Sequence, residues 1–141
     1  MGLTRQHLHL LTESAITDEV IRGSGIASHV HPVFGPGVNF PWTDGTGPAV
    51  WQHRPDSPPL NSKGGLMKYV FPKGTRVPLN RLRDGETYER VLIIEGTKQQ
   101  YAALSYAPAD FAIYGMSGCW GFTKADLSPM YGRHVFVLLD A

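Results

Sequence analysis

Two apolar runs, each closed by a single carboxylate, organise the second half of this chain. Val91–Gly96 reads VLIIEG and Val135–Ala141 reads VFVLLDA, so Glu95 ends one run and Asp140 the other. Runs of this kind are expected of strands buried on both faces of a parallel sheet, since such a strand has no polar face. Between them, Gly96–Ala107 has helical composition, with Tyr101, Ala102, Leu104 and Ser105 available to face a sheet. Phe111–Met116 reads as a second strand. Ser117–Gly132 reads as a loop with one helical turn near Lys124–Leu127, and His134–Asp140 as a third strand. Strand, helix, strand, crossover, strand predicts an α/β unit with right-handed parallel connections. Ligands in such sheets sit beyond the carboxyl ends of the strands. Glu95 and Asp140 are therefore a candidate Mg²⁺ site, because that hard ion binds through one or two carboxylates.

The first half has a different rhythm. Thr4–Ala27 predicts two short helices. Thr4 can cap the first, which carries Leu8, Leu10 and Leu11. Thr17 can cap the second, with Asp18 and Glu19 placed favourably for the helix dipole. Ile16 and Ile21 can staple that cap, and Gly23 or Gly25 ends the helix. Turn residues punctuate Ser28–Gly47, and Val38–Trp42 with Ala49–His53 predict a hairpin around TDGTGP. Arg54–Gly65 is proline-rich and reads as a loop. Leu66–Phe71 reads as a strand, and Val77–Leu82 as a further extended piece. The expected fold class is therefore α+β. A small helical and antiparallel-sheet subdomain (residues 1–88) precedes a partial, Rossmann-like parallel α/β unit (residues 89–141).

Composition adjusts this picture at a few points. The 16 Gly and 11 Pro favour turns over long helices, and only 18% of residues are charged. The net charge of +1 is uninformative, but its distribution is not. Between Trp51 and Arg83 stand Arg54, Lys63, Lys68, Lys73, Arg76, Arg81 and Arg83 against the single acid Asp56. That stretch suits a polyanion, although a solvated basic face would have the same composition. One cysteine, Cys119, allows no disulfide within the chain and suggests a reducing, cytoplasmic setting. No apolar run is long enough to span a membrane. The N-terminus has neither a secretory signal pattern nor, with Gln6, a good myristoylation motif.

Taken in order, VLIIEG, a helix, an apolar strand closing on Gly115, and VFVLLDA resemble a Toprim domain, the metal-binding core of bacterial-type primases and topoisomerases. Glu95-Gly96 matches the first Toprim motif, and Asp140-Ala141 matches the first two positions of its Asp-x-Asp motif. Upstream, Arg54 after a strand pair, Lys68-Tyr69 in LMKYVFP, and the helical lead-in LTESAITDEVIRGSGI resemble primase-like proteins of plasmids and phages. The resemblance implies a primase-like nucleotidyltransferase acting in plasmid or phage DNA replication. It would use Mg²⁺ or Mn²⁺, single-stranded DNA and nucleoside triphosphates, with a replicative helicase or a host protein as further partner. It implies that Glu95 and Asp140 are catalytic metal ligands, with Glu95 alternatively a general base. It also implies that Arg54, Lys68 and Tyr69 contact the template or nucleotide. Lys98, one turn beyond Glu95, can reach the same phosphates, where replicative primases often carry an acid. The third Asp-x-Asp position is absent from this stretch, so a fragment of a longer enzyme, inactive by itself, is expected. Two other readings stay open. One is a non-enzymatic nucleic-acid- or protein-binding module on a Toprim-derived scaffold, such as a phage-encoded inhibitor. The other is a Toprim nuclease.

Other signals carry less. Zinc needs three or four ligands, and the pairs His7/His9 and His29/His31 offer no Cys partner nearby. A Cys119/His134 nucleophile pair lacks a strained elbow or helix N-terminus. Cys119 beside Trp120 is expected to pack in the core, and buried tryptophans are the commoner case for Trp42, Trp51 and Trp120. GTGPAVWQ lacks the P-loop lysine. An apolar strand such as VFVLLDA without a covering helix would expose a sheet face and an edge. That edge could be covered by further chain, by a partner or by homodimer contacts.

Overall fold

The computed structural model describes residues 2–140. Helix α1 spans Arg5–Glu13 and helix α2 spans Asp18–Gly23. Thr4 and Thr17 cap them, each side chain accepting a backbone N–H three residues on, from His7 and Val20. Ile16 and Ile21 are both buried. The buried face of α1 differs from expectation. His7 and Leu11 point inward, whereas Leu8 is exposed. His7 can be buried because Ser28 Oγ (2.6 Å) and Asp56 Oδ1 (2.9 Å) satisfy both ring nitrogens.

Three strands follow in an antiparallel sheet of order β1-β2-β3: β1 is Ala27–His31, β2 Gly35–Trp42 and β3 Val50–Pro55. The expected hairpin forms, with Trp42 opposite Val50. Val38, Phe40 and Trp42 alternate onto one face of β2 and are fully buried against α1 and α2. The expected strand over Leu66–Phe71 is only a pair of isolated bridges, Leu60 with Leu66 and His53 with Val70. Pro58 and Pro59 lack the N–H groups that a longer ladder needs.

The second sheet has four strands in the order β4-β6-β5-β7. They are β4 Asn80–Arg83, β5 Arg90–Ile94, β6 Phe111–Gly115 and β7 His134–Leu138. β6, β5 and β7 run parallel, as the apolar pattern predicts. The extended piece expected at Val77–Leu82 is realised as β4, and it pairs antiparallel with β6. The sheet is therefore mixed, and a strand from the first half of the chain completes it. Helix α3, Thr97–Tyr106, connects β5 to β6. Its buried positions are Thr97, Gln100 and Tyr101, and Ala102 and Leu104 are only partly buried. Tyr101 packs into the first core with Phe40, so α3 joins the two sheets. In the crossover to β7, the expected helical turn appears later, as a 3-10 turn over Ser128–Met130.

β5 is buried as expected: Val91, Ile93 and Ile94 are each at most 6% exposed. β7 is not. Val135–Leu139 are 39–56% exposed, and β7 is the outermost strand of its sheet. Among the described residues, no helix is long and apolar enough to cross a membrane.

Candidate functional site

The parallel register of β5 and β7 decides where the two carboxylates stand. Ile94 lies opposite Leu138, and Glu95 N–H donates to the Leu138 carbonyl at 3.0 Å. Glu95 Oε2 in turn accepts the backbone N–H of Asp140 at 2.9 Å. The two acids therefore occupy one rim, at the carboxyl ends of neighbouring strands.

The turn after Glu95 is held from below. Gly96 caps α3 with extended backbone, and a Cβ there would sit 2.2 Å from the Gln99 amide oxygen. Gln100 is wholly buried. Its Nε2 donates to the carbonyls of Ile94 (3.2 Å) and Glu95 (3.3 Å), and its Oε1 accepts from Asn80. Gly115, which closes β6, leaves the space this amide occupies: a Cβ there would meet the Gln100 side chain at 1.9 Å. Thr97 Oγ1 donates to Gln52 Oε1 at 2.7 Å, and the Trp42 indole N–H donates to the same oxygen. The start of α3 is thereby tied to the core face of the first sheet.

The basic residues expected at the site come from three further segments. Arg54, on β3, is half-buried, and Lys68 is exposed. Tyr69 feels both Arg54 and Asp140. Burial pushes its phenol up, the charge and hydrogen bond of Arg54 pull it back, and the Asp140 carboxylate pushes it up again. Lys98, in the first turn of α3, is held below the ordinary ammonium range by burial and then by the charges of Arg54 and Lys68. Asp140 and Arg54 both bear on Tyr69, and Arg54 and Lys68 both bear on Lys98, which links the three cations in sequence to the rim of Glu95 and Asp140. The rim is open, with Asp140 and Lys68 exposed. A concavity of about 490 Å³ lies elsewhere, beside Thr17, Arg81 and Tyr101.

The donor set suits a hard cation that completes its shell with water and substrate phosphate. Glu95 keeps a second carboxylate oxygen beyond the one bonded to Asp140 N–H. Among the described residues, no group of three or more His, Cys, Asp or Glu side chains is arranged to hold a metal ion.

The histidines form a different cluster. His29, His31 and His53 share the outer face of the first sheet, with ring centroids 5.9 Å (His29–His53) and 5.1 Å (His31–His53) apart. His31 Nδ1 accepts the Val33 and Phe34 N–H groups, and both His53 nitrogens are bonded, to Asn39 and to the Gly35 carbonyl.

Asp84 has no counterpart among the expected residues. Its side chain is 4% exposed and accepts from Arg133 Nη1 (2.7 Å), Gly85 N–H (2.7 Å) and the Tyr114 hydroxyl. Burial pushes its carboxyl up, but these three partners together hold it below the usual range. The staple anchors the residue just before β7. Its only sequence signal is an acid directly after a short apolar-basic strand. Cys119 and Trp120, expected in the core, are exposed instead, because the crossover carries them beyond the end of β6.

No family model, no curated protein and no solved structure matches this chain.

Proposed function

We propose that this chain carries the metal-dependent phosphoryl-transfer site of a primase-like nucleotidyltransferase that acts in plasmid or phage DNA replication. The observation supporting the reading is the pairing of Glu95 with Asp140 on one strand-end rim, to which Tyr69 links Arg54. In this reading Glu95 and Asp140 hold Mg²⁺ or Mn²⁺, which when bound activates a hydroxyl and neutralises charge on the departing phosphate. Arg54 binds phosphate oxygens through its planar fork. Lys68, exposed, meets the strand backbone. Lys98, with its ammonium crowded by two other cations, gains most from a phosphate arriving among them.

A competing reading is a non-enzymatic nucleic-acid- or protein-binding module on the same scaffold. It is favoured by the absence of a third carboxylate from the described group. Divalent-metal titration followed by calorimetry separates the two. Metal binding in the millimolar range, weakened at least tenfold by Glu95→Gln, is expected of the first reading. Full nucleic-acid binding with no metal response would leave the second. Primer synthesis against strand scission then separates polymerase from nuclease chemistry.

A further inference from the structure

We propose that the crossover between β6 and β7 is a stacking platform for an unpaired nucleic-acid strand, built from Trp120 and Phe122 and bordered by Arg76 and Lys124. The crossover leaves β6 at Gly115, opposite Ile94, so it begins on the rim that carries Glu95. β4 runs the other way, with Asn80 opposite Gly115. The segment that feeds β4, including Arg76, therefore reaches the same rim. The Arg76 guanidinium donates to the Lys124 carbonyl and ties the two segments together. Between them lies an open groove of about 470 Å³, lined by Arg76, Ser117, Trp120, Thr123 and Lys124 and containing no acid.

A tight turn presents the rings. Gly118 has φ +71°, and a Cβ on Gly121 would come within 2.7 Å of the Ser117 nitrogen. Trp120 is left 73% exposed and Phe122 44% exposed, with ring centroids 6.3 Å apart and planes inclined by 30°. Asp126, further along the loop, accepts the Ser128 N–H at 3.0 Å and also feels the charge of Arg76. Exposed ring faces beside cations match the two parts of an unpaired strand, since bases stack on the rings and phosphates meet the guanidinium and ammonium. A duplex keeps its bases stacked on each other and cannot use the rings. The platform deepens the proposed function and rests on it for the strand's role, but its test reads binding alone.

Fluorescence anisotropy of an end-labelled short oligothymidylate, oligouridylate or DNA duplex, titrated with the full chain, tests this. Both single strands are expected to bind and the duplex to bind weakly. Trp120→Ala should weaken single-strand binding roughly tenfold. Lys124→Ala should reduce the slope of log affinity against log salt by about 0.7. Chelation of divalent metal should leave single-strand binding unchanged, which separates the platform from the metal site. Wild-type affinity in Trp120→Ala, or loss only on changing Arg54 and Lys68, overturns the platform and leaves the proposed function standing.

Discussion

The ring of His53 crosses β2 above Gly37, where a Cβ would come within 2.8 Å of the imidazole. That missing side chain lets a β3 residue touch His29 and His31 on β1. The consequence is a pH response. Burial comes first in holding His53 below its ordinary value of 6.5, with the charges of His31 and His29 adding to it and the Gly35 carbonyl opposing. The other charged group bearing on it, Asp56, also opposes. In the unfolded chain the imidazole takes its proton near pH 6.5, whereas the folded chain resists until lower pH. The unfolded state then binds more protons, so stability falls as pH drops below about 6.5 and is unaffected by this group above it. Melting temperatures recorded from pH 7.5 downward should show the decline, and His53→Gln should flatten it. The sequence shows the alternation that puts His29 and His31 on one face. It does not show that His53 joins them, because that contact crosses an intervening strand.

The strand–helix joint behind Glu95 is the element on which the site depends. Glu95 at the end of an apolar run was legible, since burial of a parallel strand writes itself as a continuous apolar word. Gln100 was not. A glutamine at that place in a helix resembles any solvent-facing polar residue. It is buried because two carbonyls at the end of β5 need a donor and because Gly115 makes room. Gly115→Ala should displace the amide, leave those carbonyls unpaired and cost about 1–3 kcal/mol in urea unfolding. The same variant should loosen the geometry of Glu95, seen as weaker divalent-metal binding. Gly115→Ala combined with Gln100→Ala should recover part of the lost stability, because the clash is removed. If the double variant is no more stable than the single one, the clash is not the cause.

Among the described residues, β7 is a poorly covered boundary of the molecule. β7 donates one edge to β5 and leaves the other open, with Val135–Leu139 exposed and uncharged. An open apolar edge is a template for pairing with another chain. Val137→Lys should lower self-association at high protein concentration without changing the melting temperature by more than a degree or so. Sedimentation velocity measures the first and calorimetry the second. Unchanged association in that variant would show that the edge is not what brings chains together.

By itself the sequence determined the helix caps at Thr4 and Thr17, the β2–β3 hairpin, the parallel run of β5, β6 and β7, and the two acids at strand ends. These follow from local preferences and from burial, which leave a periodic trace in the order of residues. Only the tertiary structure decided that β4 crosses into the second sheet, that Gln100 and Asp84 are buried, that the histidines meet, and that Trp120 faces water. Each of those depends on a partner distant along the chain, and a polar side chain satisfied by such a partner looks the same in sequence as one satisfied by solvent.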